Sequence, residues 1–258
     1  MPGSEAAAWR ASIITELGLT TADVGETITG RAPIVDPACV PGSGVLRTSV
    51  LATWADILTG LLAGKTITPR IPLTLDLDIQ VVAPAPSGTE VVAVAEVVKA
   101  GRSIVVCEVE FRDRESNQPI ALGQASFMAS PNPEHVQTGE FDRTLRAGRV
   151  LRVPLAERAR LRIIEPGTVE VPRSADGLNG AGGIQGGLVA LAIEEAAASW
   201  RPEPVLMASL VLRYLKPFAV GPARAVAEPT GDVAIVRVRD VGQAKLGAIA
   251  TVRLQSLA

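Results

Sequence analysis

Histidine is almost missing from this chain: its 258 residues hold one, His135. There is no Gly-x-Ser-x-Gly elbow, and the one histidine stands in a polar linker, so a Ser-His-Asp triad is not expected. His135 stands in the polar, proline-bearing stretch 130–142 and reads as a solvated surface group. Cysteine is nearly as scarce. Cys39 and Cys107 form neither a metal-ligand spacing nor a disulfide framework, which fits a reducing, cytoplasmic setting. No metal or cofactor is expected. The net charge of -2 supplies no basic field for nucleic acid. No Gly-Lys-Ser/Thr phosphate loop occurs, and Gly180-Ala-Gly-Gly-Ile-Gln breaks the dinucleotide fingerprint at its third glycine. No apolar run approaches the roughly 18–20 residues of a membrane span, and no basic-then-apolar leader opens the chain, so no membrane partner is expected. Aromatics are few, at four Phe, three Trp and one Tyr, which favours an aliphatic lining for any pocket.

What is present is 47% hydrophobic and 20% charged, in a length that allows one large or two ordinary globular domains. The chain is organised around one stretch, Gly180-Ala-Gly-Gly-Ile-Gln-Gly-Gly-Leu-Val-Ala-Leu-Ala-Ile-Glu-Glu-Ala. A glycine-rich turn enters an apolar helix that carries acids. Residues 42–64 repeat the arrangement. Nine residues separate Arg47 from Asp56, and nine separate Gln185 from Glu194. Subtracting 47 from 185, or 56 from 194, gives the same shift of 138, about half the chain.

In order, residues 7–18 have helical spacing, and residues 26–35 read as a strand. A helix is predicted over 48–63 with Thr48 or Ser49 as its N-cap. Val50, Leu51, Trp54, Ile57, Leu58, Leu61 and Leu62 cover most of its circumference, so it must be wrapped rather than laid on a surface. Strands follow over 73–79, 90–100, 103–112 and 120–129, with Cys107 a core residue of the third. Residues 130–142 are the candidate linker. The second half repeats the plan with shorter loops. A strand lies over 167–172, then come the glycine turn and helix. An alternating strand from residue 208 follows, then strands over 224–228, 233–241 and 247–254. Each half is one strand, one long helix and about four antiparallel strands. Two such units side by side could join their sheets and remove an exposed edge from each.

The order of strand, glycine turn, acid-bearing helix and a strand ending in Tyr214-Leu-Lys-Pro-Phe-Ala-Val-Gly-Pro resembles the hotdog fold. More narrowly, it is similar to acyl-CoA thioesterases of the phenylacetyl-CoA and 4-hydroxybenzoyl-CoA type. Those carry an Asn or Gln, six residues later His-Gly-Gly, and nine residues after the His an Asp or Glu. Asn179, Gln185-Gly186-Gly187 and Glu194 fall at that spacing, with Gln in place of His. Arg47-Thr48-Ser49 and Asp56 hold the same frame in the first half, with Pro41 at the amide position. The lone His135, in its polar stretch, argues against the hotdog hydratases, which pair an Asp with a His.

The resemblance implies an α+β fold of two tandem hotdog units, 1–136 and 137–258, each a curved antiparallel sheet wrapped round a long apolar helix and packed as a pseudo-dimer. It implies hydrolysis of an acyl-CoA or related thioester, with further assembly into a homo-oligomer open. A non-catalytic acyl or CoA binder is the alternative. In the family, the acid of one unit meets the Gly-Gly turn of the other. Asp56 would then join Asn179, Gln185 and the Gly186 N–H, with Gly187 beside the substrate. Glu194 would join Pro41, Arg47 and Thr48, where Arg47 is expected to pair with it as a buried ion pair. One working site per chain follows.

On residue chemistry alone, a Gly-Gly turn at a helix start presents free N–H groups at the positive end of the helix dipole, which suits a developing oxyanion. An acid two turns on can activate water or attack directly. The glycines serve equally for a tight turn or close packing. A carboxylate in so apolar a helix needs a partner or a reason. Glu195 neighbours Glu194, and helix phase alone does not separate them.

Overall fold

The computed structural model describes residues 12–137, 144–146 and 150–257. Strands β1 (Thr20–Val24) and β2 (Thr27–Pro33) precede helix α1 (Thr48–Ile67), which is followed by β3 (Pro72–Val81), β4 (Glu90–Ala100), β5 (Ile104–Asp113) and β6 (Pro119–Ala129). The short helix α2 (Leu155–Arg158) opens the second half. Then come β7 (Arg162–Glu165), β8 (Thr168–Val171), α3 (Gly186–Ala198), β9 (Val205–Tyr214), β10 (Ala223–Thr230), β11 (Val233–Asp240) and β12 (Lys245–Ser256).

All twelve strands of the described residues form one sheet in the order β1-β2-β4-β5-β6-β3-β9-β12-β11-β10-β8-β7. The order reads the same from either end once the halves are exchanged, and the centre is the antiparallel pair β3–β9, with Leu77 opposite Leu212 and Ile79 opposite Leu210. The expected continuity of the two sheets is therefore present, and each half closes its neighbour's open edge. α+β architecture with a helix wrapped by each half-sheet is the observed fold.

Burial explains why α1 stays inside. Val50, Leu51, Trp54, Leu58 and Leu62 are all 2% exposed or less. Each such side chain contributes about 1.5–3 kcal/mol by leaving water. The helix runs four residues beyond the expected 63. At 20 residues it is long and apolar enough to cross a membrane by length and composition alone, contrary to the sequence expectation, yet it is largely buried inside the sheet. Cys107 is fully buried in β5, as its pattern required, and both cysteines are free.

Four local expectations need correction. Each half begins with a two-stranded ribbon rather than one strand: the Thr20–Val24 segment, which turns at Gly25 into β2, had no apolar alternation to reveal it, and neither had β7. The described part of the expected helix 7–18 holds only one 3-10 turn, Thr15–Leu17, ended by Gly18; residues 7–11 lie outside the described residues. The N-cap of α1 is Arg47, extended and without a side-chain cap bond, rather than Thr48 or Ser49. The start of the candidate linker packs on the sheet. Ile71 N–H donates to the His135 carbonyl, and Ser130 Oγ lies 2.9 Å from His135 Nδ1, so the histidine is tied down and half-buried rather than free in solvent. Residues 138–142 lie outside the described residues.

Candidate active site

α1 and α3 cross near their N-termini, and each lays its acid over the first turn of the other. The glycines of α3 allow the approach. A Cβ on Gly187 would collide with Thr53 Oγ1 of α1. Gly187→Ala should therefore lower stability by about 1–3 kcal/mol through overpacking, against the usual helical preference for alanine, as read from the denaturant midpoint. An unchanged or raised midpoint would show that the crossing tolerates a methyl.

At the start of α3, Gln185 is the N-cap. Its Oε1 accepts from Gly187 N at 2.5 Å and from Leu188 N at 3.3 Å. With the oxygen committed to backbone donors, the amide nitrogen must point the other way. It does, with Nε2 lying 3.5 Å from Asp56 Oδ2. The Gly186 N–H, next in line at the helix terminus, makes no hydrogen bond among the described residues. Asp56 reaches this terminus from α1 and is held by Thr74 Oγ1, which donates to its Oδ1 at 2.7 Å. Burial pushes the Asp56 carboxyl up to about 6, against the downward pull of the Thr74 hydrogen bond.

Thr74 points inward because of a register shift. Leu77 and Ile79 face the core, so strict alternation would send Thr74 outward with Asp76 and Asp78. The pairing with β6 skips one residue between Thr74 and Asp76, and Thr74 then stands opposite the buried Phe127. The bulge at Leu75 re-aims the hydroxyl at Asp56. Tyr214, the last residue of β9, completes the cluster by donating from its hydroxyl to the Gly186 carbonyl at 3.0 Å. A Cβ on Gly186 would lie 2.7 Å from the Tyr214 hydroxyl and 3.3 Å from Asp56 Oδ2, so both oxygens border the space that the glycine leaves. Neither Thr74 nor Tyr214 was singled out in the sequence. The Tyr214-Leu-Lys-Pro motif was the available signal for the second, and only the bulge places the first.

Asn179 is not brought to Asp56. Its Oδ1 accepts from Ala181 N and Gly183 N, both at 3.0 Å, and shapes the glycine loop, where the side chain is exposed.

The other helix terminus is filled. Glu194 is 2% exposed; its Oε1 accepts from Thr48 N at 2.9 Å and Ser49 N at 3.4 Å. Its Oε2 accepts from Ser49 Oγ at 2.6 Å and Arg47 Nη1 at 3.2 Å. Arg47 also bonds Glu195 Oε1 through Nη2 at 2.6 Å and the Cys39 carbonyl through Nε at 3.1 Å. The Arg47–Glu194 pair expected from sequence is present, and Glu195 shares it. Although burial opposes its charge, the two carboxylates hold the Arg47 guanidinium above its ordinary range. Glu194 thus caps α1 from the neighbouring helix, which is why no local side chain does so. Thr48 Oγ1 donates to the Met207 carbonyl at 2.6 Å. A surface hollow of about 560 Å³, lined by Glu16, Val150, Arg152, Val153 and Arg158, lies apart from both termini.

The Thioesterase superfamily model matches residues 43–120, which include α1 and Asp56. No curated protein sequence matches the chain. Among solved structures, the chain resembles the 12:0-ACP thioesterase from Umbellularia californica at 8% identity and TM-score 0.65, over 91% of this chain and 99% of that one. It resembles an acyl-ACP thioesterase from Bacteroides thetaiotaomicron at 10% identity and TM-score 0.62, over 89% and 98%. At such identities the likeness speaks for the fold, and it extends across both halves. The thioesterase superfamily match lies within the first half and the structural likeness runs over nearly the whole chain, so the chain has the fold of two hotdog units in one polypeptide, the first of which matches the thioesterase superfamily model.

Proposed function

We propose that the chain hydrolyses an acyl thioester of CoA or a related carrier thiol at one composite site between units that divide near residue 137. The observation that carries this is the pairing of Asp56 with the unbonded Gly186 N–H at the start of α3, while the equivalent carboxylate of Glu194 is consumed by four donors. The thioester carbonyl oxygen accepts from the Gly186 N–H at the positive end of the helix. Asp56 takes a proton from water as it attacks the carbonyl carbon. The tetrahedral intermediate collapses by breaking the C–S bond, and the thiolate leaves with the electron pair. Gln185 Nε2 orients the carboxylate, and Thr74 fixes its other oxygen. A carboxylate raised to about 6 is a better base than an ordinary one and is still ionised at neutral pH.

The structural relatives are named for carrier-protein thioesters, so the assay panel should pair CoA and acyl carrier protein thioesters of matched chain length. Thiol release is expected, with kcat falling as pH drops through about 6 because Asp56 works only when ionised. Tight binding without release across the panel would make the chain a binder instead. A pH profile flat from 5 to 8 would remove Asp56 from the role of base.

A further inference from the structure

The two halves differ at more than their acids. Strands β3 and β9 run over residues 72–81 and 205–214, so they match with a shift of 133. Both break register at the same place: β3 between Thr74 and Asp76, and β12 with β9 at Arg253/Leu254, where Ser209 and Met207 flank the skipped residue. This places Thr74 opposite Met207 in the comparison, and Tyr214 opposite Val81. The Asp56 terminus therefore has two hydroxyl side chains in positions that are apolar at the Glu194 terminus. Tyr214 is also the only tyrosine of the chain.

A hydroxyl among apolar residues needs a partner, and the one that Tyr214 has is replaceable. Gly186 is the first residue of α3, so its carbonyl is also the acceptor for the helical N–H four residues on. The hydroxyl can leave it without orphaning a buried group. It already lies, with Asp56 Oδ2, against the position a Gly186 side chain would take. Burial, and then the Asp56 charge, hold the phenol well above its ordinary range, so it is a neutral donor throughout the working pH.

Resting on the hydrolytic reading above, we propose that Tyr214 is a catalytic residue, the second hydrogen-bond donor of the site. Its hydroxyl turns from the Gly186 carbonyl to the thioester carbonyl oxygen as that oxygen gains charge, beside the Gly186 N–H. No proton is transferred and no bond is made or broken by Tyr214. It supplies a donor at a site where the resembling enzymes have a histidine and this chain has Gln185, whose amide faces Asp56 instead.

The test uses the full chain and Tyr214→Phe, which keeps the ring and removes the hydroxyl. The variant should lose about 10²-fold in kcat, the scale of one lost oxyanion donor, with KM within about twofold, the thermal midpoint nearly unchanged, and the acid limb of the pH profile still near 6. A tyrosine that only packs would shift the midpoint and leave kcat. A variant turning over within twofold of the parent overturns the assignment. A second readout needs no turnover. Because Tyr214 is the only tyrosine, subtracting the ligand-difference spectrum of Tyr214→Phe from that of the parent cancels the three tryptophans and the ligand and leaves the phenol band of Tyr214. Dodecyl-CoA, a thioether without a carbonyl, should leave the band in place. The matching ketone analogue, with CH2 for sulfur and the carbonyl retained, should shift it. Equal bands with both, or binding of neither, count against the assignment. A parent that hydrolyses no thioester but shows the ketone-specific shift sinks the hydrolytic reading and keeps the contact.

Discussion

Asp56→Asn should lower turnover by about 10²–10⁴-fold, the usual loss on removing a general base, with substrate binding little affected. Asparagine keeps the size of the side chain and can still accept from Thr74; the contact it gives up is the long one, 3.5 Å, from Gln185 Nε2. The same variant should be more stable than the parent at neutral pH. Asp56 has a folded-state pKa near 6, above the roughly 3.9 of an unfolded aspartate. The folded state therefore binds more protons between those values, and stability falls as pH rises from about 4 through 6. Above that window the ionised carboxylate costs the fold on the order of 1–3 kcal/mol, which the amide does not. Kinetics and urea unfolding at pH 5 and 8 test both halves of the expectation. A variant that is less stable than the parent at pH 8 would mean that the carboxylate is a structural partner, as Glu194 is.

Glu194→Ala should produce the opposite signature. Arg47 and Glu194 are 3% and 2% exposed, and removing one member of a buried pair leaves the other charge partly uncompensated. A loss of about 3–5 kcal/mol is expected, toward the lower end because Glu195 still holds Arg47. The first turn of α1 also loses its cap, since Thr48 N and Ser49 N have no other acceptor among the described residues. Glu194→Gln keeps an acceptor oxygen, so it should retain most of the kcat in molecules that remain folded. Unfolding curves and initial rates below the variant's midpoint separate the two effects. If Glu194→Gln is folded and dead while Asp56→Asn turns over, the working terminus is the other one.

The sequence by itself determined a good deal. Two apolar helices that each carry an acid at one spacing, each followed by alternating strands, specify a repeated unit, because hydrophobic period and turn chemistry are local properties. The strand Glu90–Ala100 came out at its observed bounds for that reason. The pairing of Arg47 with Glu194 was also legible, since a basic residue where the repeat has Gln185 answers a buried acid of the other half. The missing Gly-x-Ser-x-Gly elbow spoke against a serine-hydrolase triad without any structure.

Other features depended on residues far apart in sequence. The true cap of α1 is Glu194, which lies 147 residues from Arg47, so no local rule could name it. Asn179 satisfies the family spacing, yet its side-chain oxygen is spent on the loop it sits in, because loop closure competes for the same hydrogen bonds. Thr74 faces Asp56 only through the bulge at Leu75, and a one-residue slip reverses the face of every side chain beyond it. Tyr214 reaches Gly186 because β9 ends where α3 begins in space. What the sequence supplied were the periodicities of its elements. Which carboxylate is left partly free, and which is locked into a cap, was decided by the crossing of two helices, since that difference is a matter of how many donors converge on each acid.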